Sequence, residues 1–381
     1  MTLDPLKMLL SRPDQMQLDQ FMEQVTQLAG LELGYPVAFD LDFSALMPFL
    51  AISLNNAGDP FVPMTYQLNS HEFEREVVSF FADLTRAPAD QWWGYVTNGS
   101  TEGNLYGLYL ARELFPDGMV YFSQDSHYSV SKNLHFLNMR HIMIRSQENG
   151  EIDYDDLRQT LRIRRDVPPI IFANVGTTMK EARDDVGRIV SILDEMAIEK
   201  RYIHSDAALC GGYAAYLEPR PSWDFEDGSD SIAISGHKFF ASPIPCGVVL
   251  AKRAHVERIG HSVAYIGSMD TTISGSRNGL TPLILWYAIR ALGHEGMKKR
   301  IEHALDTAAY AEGKLNKAGI RAWRNPNALT VVFPKPAAAV CEKWQLATAS
   351  GNSHIICMPH ITRDKIDEVL NDILASGAKA T

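Results

Sequence analysis

Between Ile170 and Lys238 short apolar runs alternate with amphipathic stretches, and this alternation limits the possible fold more than any other feature of the 381-residue chain. Ile170 to Val175 (I-I-F-A-N-V) has the length and β-branched content of a strand covered on both faces, and it stops at Gly176. Val186, Ile189, Val190, Leu193, Met196 and Ala197 then recur at helical spacing, with Asp184 and Asp185 at the amino end, where the helix dipole favours negative charge. Tyr202 to Ser205 and Ser231 to Ser235 read as the next strands, and Val120 to Phe122 as an earlier one. Such alternation builds a mainly parallel sheet, an α/β architecture whose ligands gather at the carboxyl ends of the strands. Those ends carry T-N-G-S-T-E-G-N (Thr97 to Asn104), G-T-T (Gly176 to Thr178), D-A-A (Asp206 to Ala208) and G-H-K (Gly236 to Lys238), so four polar clusters converge on one edge.

Helical periodicity through Leu283, Trp286, Ile289 and Leu292 leads into an α+β tail, with strands expected at Leu329 to Phe333 and Ser353 to Met358 and a closing helix at Asp364 to Leu374. The chain thus divides into an N-terminal docking segment (1–53), a large domain (54–282) and a small C-terminal domain (283–381). No repeat or low-complexity tract interrupts it. With a net charge of -10 and no clustered Lys or Arg, nucleic acid is not an expected partner. The run Ala45 to Leu54 contains Pro48 and is too short to span a bilayer, and Met1 to Leu10 lacks the pattern of a secretory signal, so no membrane association and a cytoplasmic location are expected. Cys210, Cys246, Cys341 and Cys357 form no C-x-x-C pair, which argues for reduced thiols and no metal site.

The chemistry concentrates at the sheet edge. S-G-H-K puts Lys238 on a tight turn after an apolar strand, where a desolvated amine suits Schiff-base formation. Asp206 ends the otherwise apolar Y-I-H-S-D, and a carboxylate buried there needs a cationic partner; a protonated pyridine nitrogen would serve, with small Ala208 leaving room for a flat ring. G-S-T-E-G-N opens a helix whose free N–H groups, with the Ser100 and Thr101 hydroxyls, suit a phosphate, although Ser and Thr at such places are more often plain N-caps. His127 follows a strand and could stack on a planar ligand, against the commoner role of a histidine in packing or capping.

These segments together resemble the group II pyridoxal-phosphate decarboxylases over about Leu54 to Pro359, and among them the bacterial histidine decarboxylases and the plant serine decarboxylases. The similar segments are W-G-Y-V-T-N-G (Trp93 to Gly99), T-E-G-N, H-Y-S-V, G-E-I-D-Y-D-D-L (Gly150 to Leu157), S-G-H-K, P-I-P-C-G (Pro243 to Gly247) and G-S-R-N-G (Gly275 to Gly279). The resemblance implies the aspartate-aminotransferase-like fold (fold type I), the cofactor pyridoxal 5'-phosphate, a homodimer and decarboxylation of a small amino acid. It implies Lys238 for the Schiff base, Asp206 for the pyridine nitrogen, His127 for stacking and Thr177 near the ring hydroxyl. Ser100, Thr101, Ser235 and His237 would surround the phosphate, and Tyr265 would protonate the product carbon. Two positions depart from the family pattern: Leu280 stands where a histidine is expected and Glu181 where a glycine is usual.

An aminotransferase or lyase shares this fold and lysine but needs an arginine on the α-carboxylate; Arg277 is the only arginine near these motifs that could play that part, and G-S-R-N-G fits the decarboxylase pattern better. A catalytically silent cofactor-binding protein is the remaining possibility. For substrate, Y-Q-L-N-S-H-E-F-E (Tyr66 to Glu74) resembles the histidine branch, with Asn69 and Ser70 expected near an imidazole; their other role would be to cap the helix that follows. L-histidine, giving histamine, is the first expectation. L-serine, giving ethanolamine, is the second, favoured by G-D-P-F (Gly58 to Phe61) and W-Q-L-A (Trp344 to Ala347).

Overall fold

The computed structural model describes residues 10–263 and 267–377. Its centre is a seven-stranded sheet in the order β1-β7-β6-β5-β4-β2-β3. The strands are β1 (Trp92–Thr97), β2 (Met119–Ser123), β3 (His141–Ile144), β4 (Pro169–Asn174), β5 (Tyr202–Asp206), β6 (Ser231–Ser235) and β7 (Gly247–Lys252). Neighbours from β3 to β6 run parallel, and β7 alone is reversed, pairing antiparallel with both β6 and β1. Register aligns Asn174 with Asp206 and Asp206 with Ala233, so the polar strand ends meet at one edge.

Strand pleating divides the core between two faces. On β4, Ile170 and Phe172 pack with Tyr106, Leu108 and Leu110 of helix α3 (Ser100–Leu114), whereas Ile171 and Ala173 face the other way onto helices α5 (Tyr154–Ile163) and α6 (Val186–Glu195). That both faces are covered is why β4 reads as a continuous apolar run. The described helices are α1 (Arg12–Ala29), α2 (His71–Leu84), α3 (Ser100–Leu114), α4 (Ser129–Phe136), α5 (Tyr154–Ile163), α6 (Val186–Glu195), α7 (Arg253–Val256), α8 (Leu280–Lys317), α9 (Ala338–Lys343) and α10 (Arg363–Ala375). Helix α8 is broken at Gly293, whose φ of 58° and ψ of -176° separate two helical stretches.

Past that break the chain builds a second, antiparallel sheet in the order β10-β12-β11, from β10 (Thr330–Pro334), β11 (Thr348–Ala349) and β12 (Asn352–Ile356). Ile366, Val369, Leu370 and Ile373 of α10 close its core. A short antiparallel pair, β8 (His261–Val263) with β9 (Ser268–Asp270), lies ahead of α8. The N-terminal chain returns along the small sheet, since the Ile356 N–H donates to the Leu33 carbonyl (2.8 Å) and the Leu33 N–H to the Trp344 carbonyl (3.3 Å). Among the described residues no helix is long and apolar enough to cross a membrane.

Candidate active site

A cavity of about 520 Å³ opens over the carboxyl ends of β4, β5 and β6, and the small sheet and the N-terminal chain close its other side. Nine positions expected from the sequence line it: Ser100, Thr101, His127, Thr177, Asp206, Ala208, Ser235, His237 and Lys238.

One end is built for an anion. Helix α3 begins at Gly99, whose φ of +117° is open to glycine and which provides no side-chain cap. Glu102 secures this helix start instead, accepting from the Asn98 N–H (3.0 Å), the Asn98 amide (2.7 Å) and the Tyr95 hydroxyl (2.9 Å). Ser100 and Thr101 are therefore inside the first turn and are not its N-caps, so their hydroxyls and the unpartnered first-turn N–H groups point chemistry toward the cavity. The Ser100 and Ser235 hydroxyls share one hydrogen bond of 2.8 Å, which brings β6 to the same place. His237 is anchored through Nδ1 to the Cys246 carbonyl (2.8 Å), and burial lowers its pKa.

The floor carries the opposite pair of charges. Asp206 is 7 % exposed. Its Oδ2 accepts from the Asn104 amide (2.8 Å) and its Oδ1 from the Ala208 N–H (3.2 Å). Burial pushes this carboxyl up, and Lys238, Asn104 and His127 pull it back down. Burial likewise draws the Lys238 amine below its ordinary value, against the attraction of Asp206. A lowered lysine is the form that condenses with a carbonyl. His127 Nδ1 accepts from the Ser129 N–H (3.3 Å) and lies 2.8 Å from the Ser129 hydroxyl, so its proton is assigned to Nε2, and burial lowers its pKa as well. Thr177 Oγ1 accepts from the Ala182 N–H (3.0 Å), which leaves its hydroxyl hydrogen as a donor.

These residues fit pyridoxal phosphate: a helix-start anion cradle, a buried carboxylate with both oxygens already accepting, a desolvated lysine and a small Ala208 occupy one cavity. Among the described residues none of its lining side chains is an arginine. Arg277 is buried elsewhere, paired with Glu74, donating to the Gly58 carbonyl (3.1 Å) and lying over the Tyr95 ring. It is thus withdrawn from the carboxylate-gripping role that a transaminase would need.

Asn69 and Ser70 do not line the cavity. The Ser70 hydroxyl donates to the Gly279 carbonyl (2.6 Å), and the Asn69 side chain bridges the Tyr66 carbonyl (2.7 Å) and the His71 N–H (3.2 Å) at the start of α2. Their local hydrogen bonds account for both side chains. Tyr265 lies outside the described residues. Several lining residues carried no sequence signal of their own: Gly34, Tyr35, Pro36 and Val37 from the N-terminal chain, and Ala347, His354 and Ile356 from the small domain. Asn104 did carry one, since it lies one helical turn after Ser100 and so on the same face.

Glu181, the departure from glycine, sits at φ +52°, in the left-handed region that glycine tolerates best. Its carboxylate accepts from the Leu329 N–H (3.0 Å), the Thr330 N–H (2.9 Å), the Thr330 hydroxyl (2.6 Å) and the Tyr213 hydroxyl. The strain is offset by a clasp between the β4 edge and the first strand of the small sheet.

Fold and site define a pyridoxal-phosphate enzyme of fold type I, a mostly parallel sheet with a smaller C-terminal domain and a lysine at the strand edge. The chain belongs to the pyridoxal-dependent decarboxylase family, whose conserved domain matches residues 49–333. It is 52 % identical over 365 residues to a histidine decarboxylase of Mesorhizobium japonicum, covering 96 % of this chain and 99 % of that one. To a histidine decarboxylase of Morganella morganii it is 46 % identical over 371 residues, covering 97 % and 98 %. Among solved structures, L-methionine decarboxylase from Streptomyces sp. 590 complexed with L-methionine methyl ester superposes with a TM-score of 0.89 at 26 % identity, over 96 % of this chain and 95 % of that one.

Proposed function

We propose that this enzyme decarboxylates L-histidine to histamine and CO2. The observation that carries the substrate is its 52 % identity, along nearly the full length of both chains, with a histidine decarboxylase. The cofactor, when bound, supplies a protonated pyridine ring that takes up the electron pair left on the α-carbon as CO2 departs.

The chain's own residues divide the remaining work. Lys238 holds the cofactor through an amine that burial shifts toward its nucleophilic form. Asp206 offers a fixed anion that keeps a proton on the pyridine nitrogen, worth most as negative charge develops in the ring. The first turn of α3, with Ser100, Thr101, Ser235 and His237, takes the phosphate. His127, fixed by Ser129, would present its ring to the cofactor, Ala208 would leave room for it, and the Thr177 hydroxyl would be free to donate to the ring oxygen. Tyr265 delivers the proton that replaces CO2. The absence of an arginine among the described lining residues leaves the departing carboxylate without a strong grip, which favours its loss.

We infer further that the enzyme is a homodimer. Helix α1 contains no buried residue, yet Leu18, Phe21, Val25 and Leu28 follow one another at spacings of three, four and three along it. An isolated amphipathic helix of this length gains its stability from packing of the apolar stripe, and a second copy supplies the surface. We propose a cytoplasmic location, a reading supported by four free cysteines among the described residues.

The test is the ratio of kcat/KM values for L-histidine, L-serine and L-methionine with purified, cofactor-loaded enzyme. Histidine should be preferred by at least about 100-fold, as expected where a site pairs a polar side chain. A preference for serine or methionine overturns the substrate assignment.

A further inference from the structure

The Asp206 carboxylate is the end of a buried row of polar side chains that runs away from the cavity into the sheet. Asn104 Nδ2 lies 2.8 Å from Asp206 Oδ2, and Asn104 Oδ1 lies 2.9 Å from His204 Nε2. His204 Nδ1 is 2.7 Å from the Ser231 hydroxyl, which is 2.9 Å from the Tyr202 hydroxyl. Asn104 is 2 % exposed, and His204, Ser231 and Tyr202 are wholly buried.

Only one arrangement of protons satisfies every link. An ionised carboxylate accepts only, so Asn104 must turn its amide N–H toward Asp206 and its carbonyl toward His204. His204 must then carry its proton on Nε2, which leaves Nδ1 to accept from the Ser231 hydroxyl, and Ser231 accepts from Tyr202. Burial drives the His204 pKa down to about 3, so the ring stays neutral, and burial raises that of Tyr202, which stays a phenol. Every donor therefore points toward Asp206. The backbone is shaped around the row as well: a Cβ built at Gly107 of α3 would lie 2.2 Å from His204 Nδ1 and 2.8 Å from the Ser231 hydroxyl oxygen. Glycine in mid-helix is less favourable than alanine, and here it makes the space that the imidazole fills.

We propose that Asn104 and His204 are positioning residues that act through Asp206: the one-way hydrogen-bond row fixes the Asn104 amide so that it stabilises the ionised carboxylate facing the cofactor's ring nitrogen. The inference rests on the assignment of Asp206 to that nitrogen. It makes no use of the identity of the amino-acid substrate. His204 supplies direction: without its Nε2–H the Asn104 amide is free to flip and present its carbonyl oxygen to the carboxylate, replacing an attraction with a repulsion.

Nitrogen-15 NMR of the histidine-labelled, full-length holoenzyme reads the row directly, with the His204 signals identified by their loss in His204→Gln. The expected result is a neutral ring protonated at Nε2 that does not titrate between about pH 5.5 and 9. A proton on Nδ1, or titration in that range, overturns the proposal whatever the substrate proves to be. The second readout is kinetic and spectroscopic. Asn104→Leu should lower kcat by roughly 10- to 100-fold, the worth of a hydrogen bond to a charged group, leave KM nearly unchanged, and shift the pH dependence of the bound cofactor's visible absorption. His204→Phe should do the same, while His204→Gln, whose amide can still donate to Asn104, should recover most of the loss. Unchanged kcat and absorption in Asn104→Leu, or equal losses in the Phe and Gln variants, would overturn it. Should either apolar variant fail to fold, the tautomer of the parent enzyme still decides.

Discussion

Lys238 and Asp206 carry opposite charges into one cavity, and each alters the other's titration: the carboxylate supports the ammonium that burial disfavours, and the ammonium supports the carboxylate. Lys238→Ala should keep the fold, lose at least about 1000-fold in turnover, and show no visible band that borohydride bleaches, because the one lysine amine among the described lining residues is gone. Asp206→Asn should still bind cofactor, since the phosphate cradle is untouched, but lose roughly 100- to 1000-fold in kcat, because a neutral amide cannot hold the ring proton as charge develops. Near-parental turnover in that variant would remove Asp206 from the mechanism. Both residues stood out in the sequence because Asp206 ends one apolar strand and Lys238 follows another on a tight turn, where a charged side chain has few structural excuses. Asn69 and Ser70, expected near the substrate, lie in the single chain at the start of α2, away from the cavity lining. Polar residues ahead of a helix can bond locally, as Asn69 does with Tyr66 and His71, whereas the Ser70 hydroxyl reaches a distant part of the chain at the Gly279 carbonyl.

At the scale of elements, the strands at Ile170, Tyr202 and Ser231 were readable as short apolar runs and the helix at Val186 by its helical spacing, whereas the residue 34–37 wall of the cavity was not. That wall has no period, and only tertiary packing brings it there. A Cβ at Gly34 would lie 2.3 Å from the Gln345 carbonyl oxygen, 2.6 Å from the Ala347 nitrogen and 2.7 Å from the Leu346 Cα, all backbone atoms that cannot swing aside. Gly34→Ala should therefore displace the wall and raise KM by about 10-fold or more, the reach of a roughly 1.4 kcal/mol loss of binding. Gly313→Ala, where nothing lies within 4 Å, should leave KM unchanged. An unaltered KM in Gly34→Ala would mean the segment does not shape the substrate site. Glu32 gives the same segment a pH dependence. Its carboxylate accepts from the Tyr35 N–H (2.5 Å), but burial dominates and raises its pKa to about 7. Between the unfolded value near 4.5 and about 7 the folded chain holds the proton more tightly, so stability is greatest below 4.5 and falls as pH rises through 7. Glu32→Gln removes that loss. Its unfolding free energy should gain roughly 2 kcal/mol on the parent between about pH 5 and 8, read from parallel denaturant titrations, and a constant difference would show that Glu32 is not held protonated.

On the scale of the whole molecule, the chain has settled its core but not its surface. The two faces of the large sheet are covered and the small sheet is closed by α8 and α10, while α1 stands with no residue buried and with Leu18, Phe21, Met22 and Leu28 exposed. Tyr128 on the cavity rim and Phe136 and Met143 nearby in sequence are exposed too, so the apolar surface is not confined to one helix. A row of exposed apolar side chains such as that on α1 is uncommon on proteins that work as monomers, and it suits packing against another molecule. Nothing local in the sequence distinguishes a stripe meant for the core from one meant for a partner, since both follow the same helical spacing. Sedimentation at micromolar concentration should give twice the 42.5 kDa mass of the chain. Introducing charge into the stripe, as Leu18→Glu with Phe21→Glu, should weaken association by about 100-fold or more, the cost of burying carboxylates without partners, while a single chain's own core is untouched. If the parent enzyme sediments at the mass of one chain and is fully active there, the stripe serves some other contact and each cavity is complete within one copy.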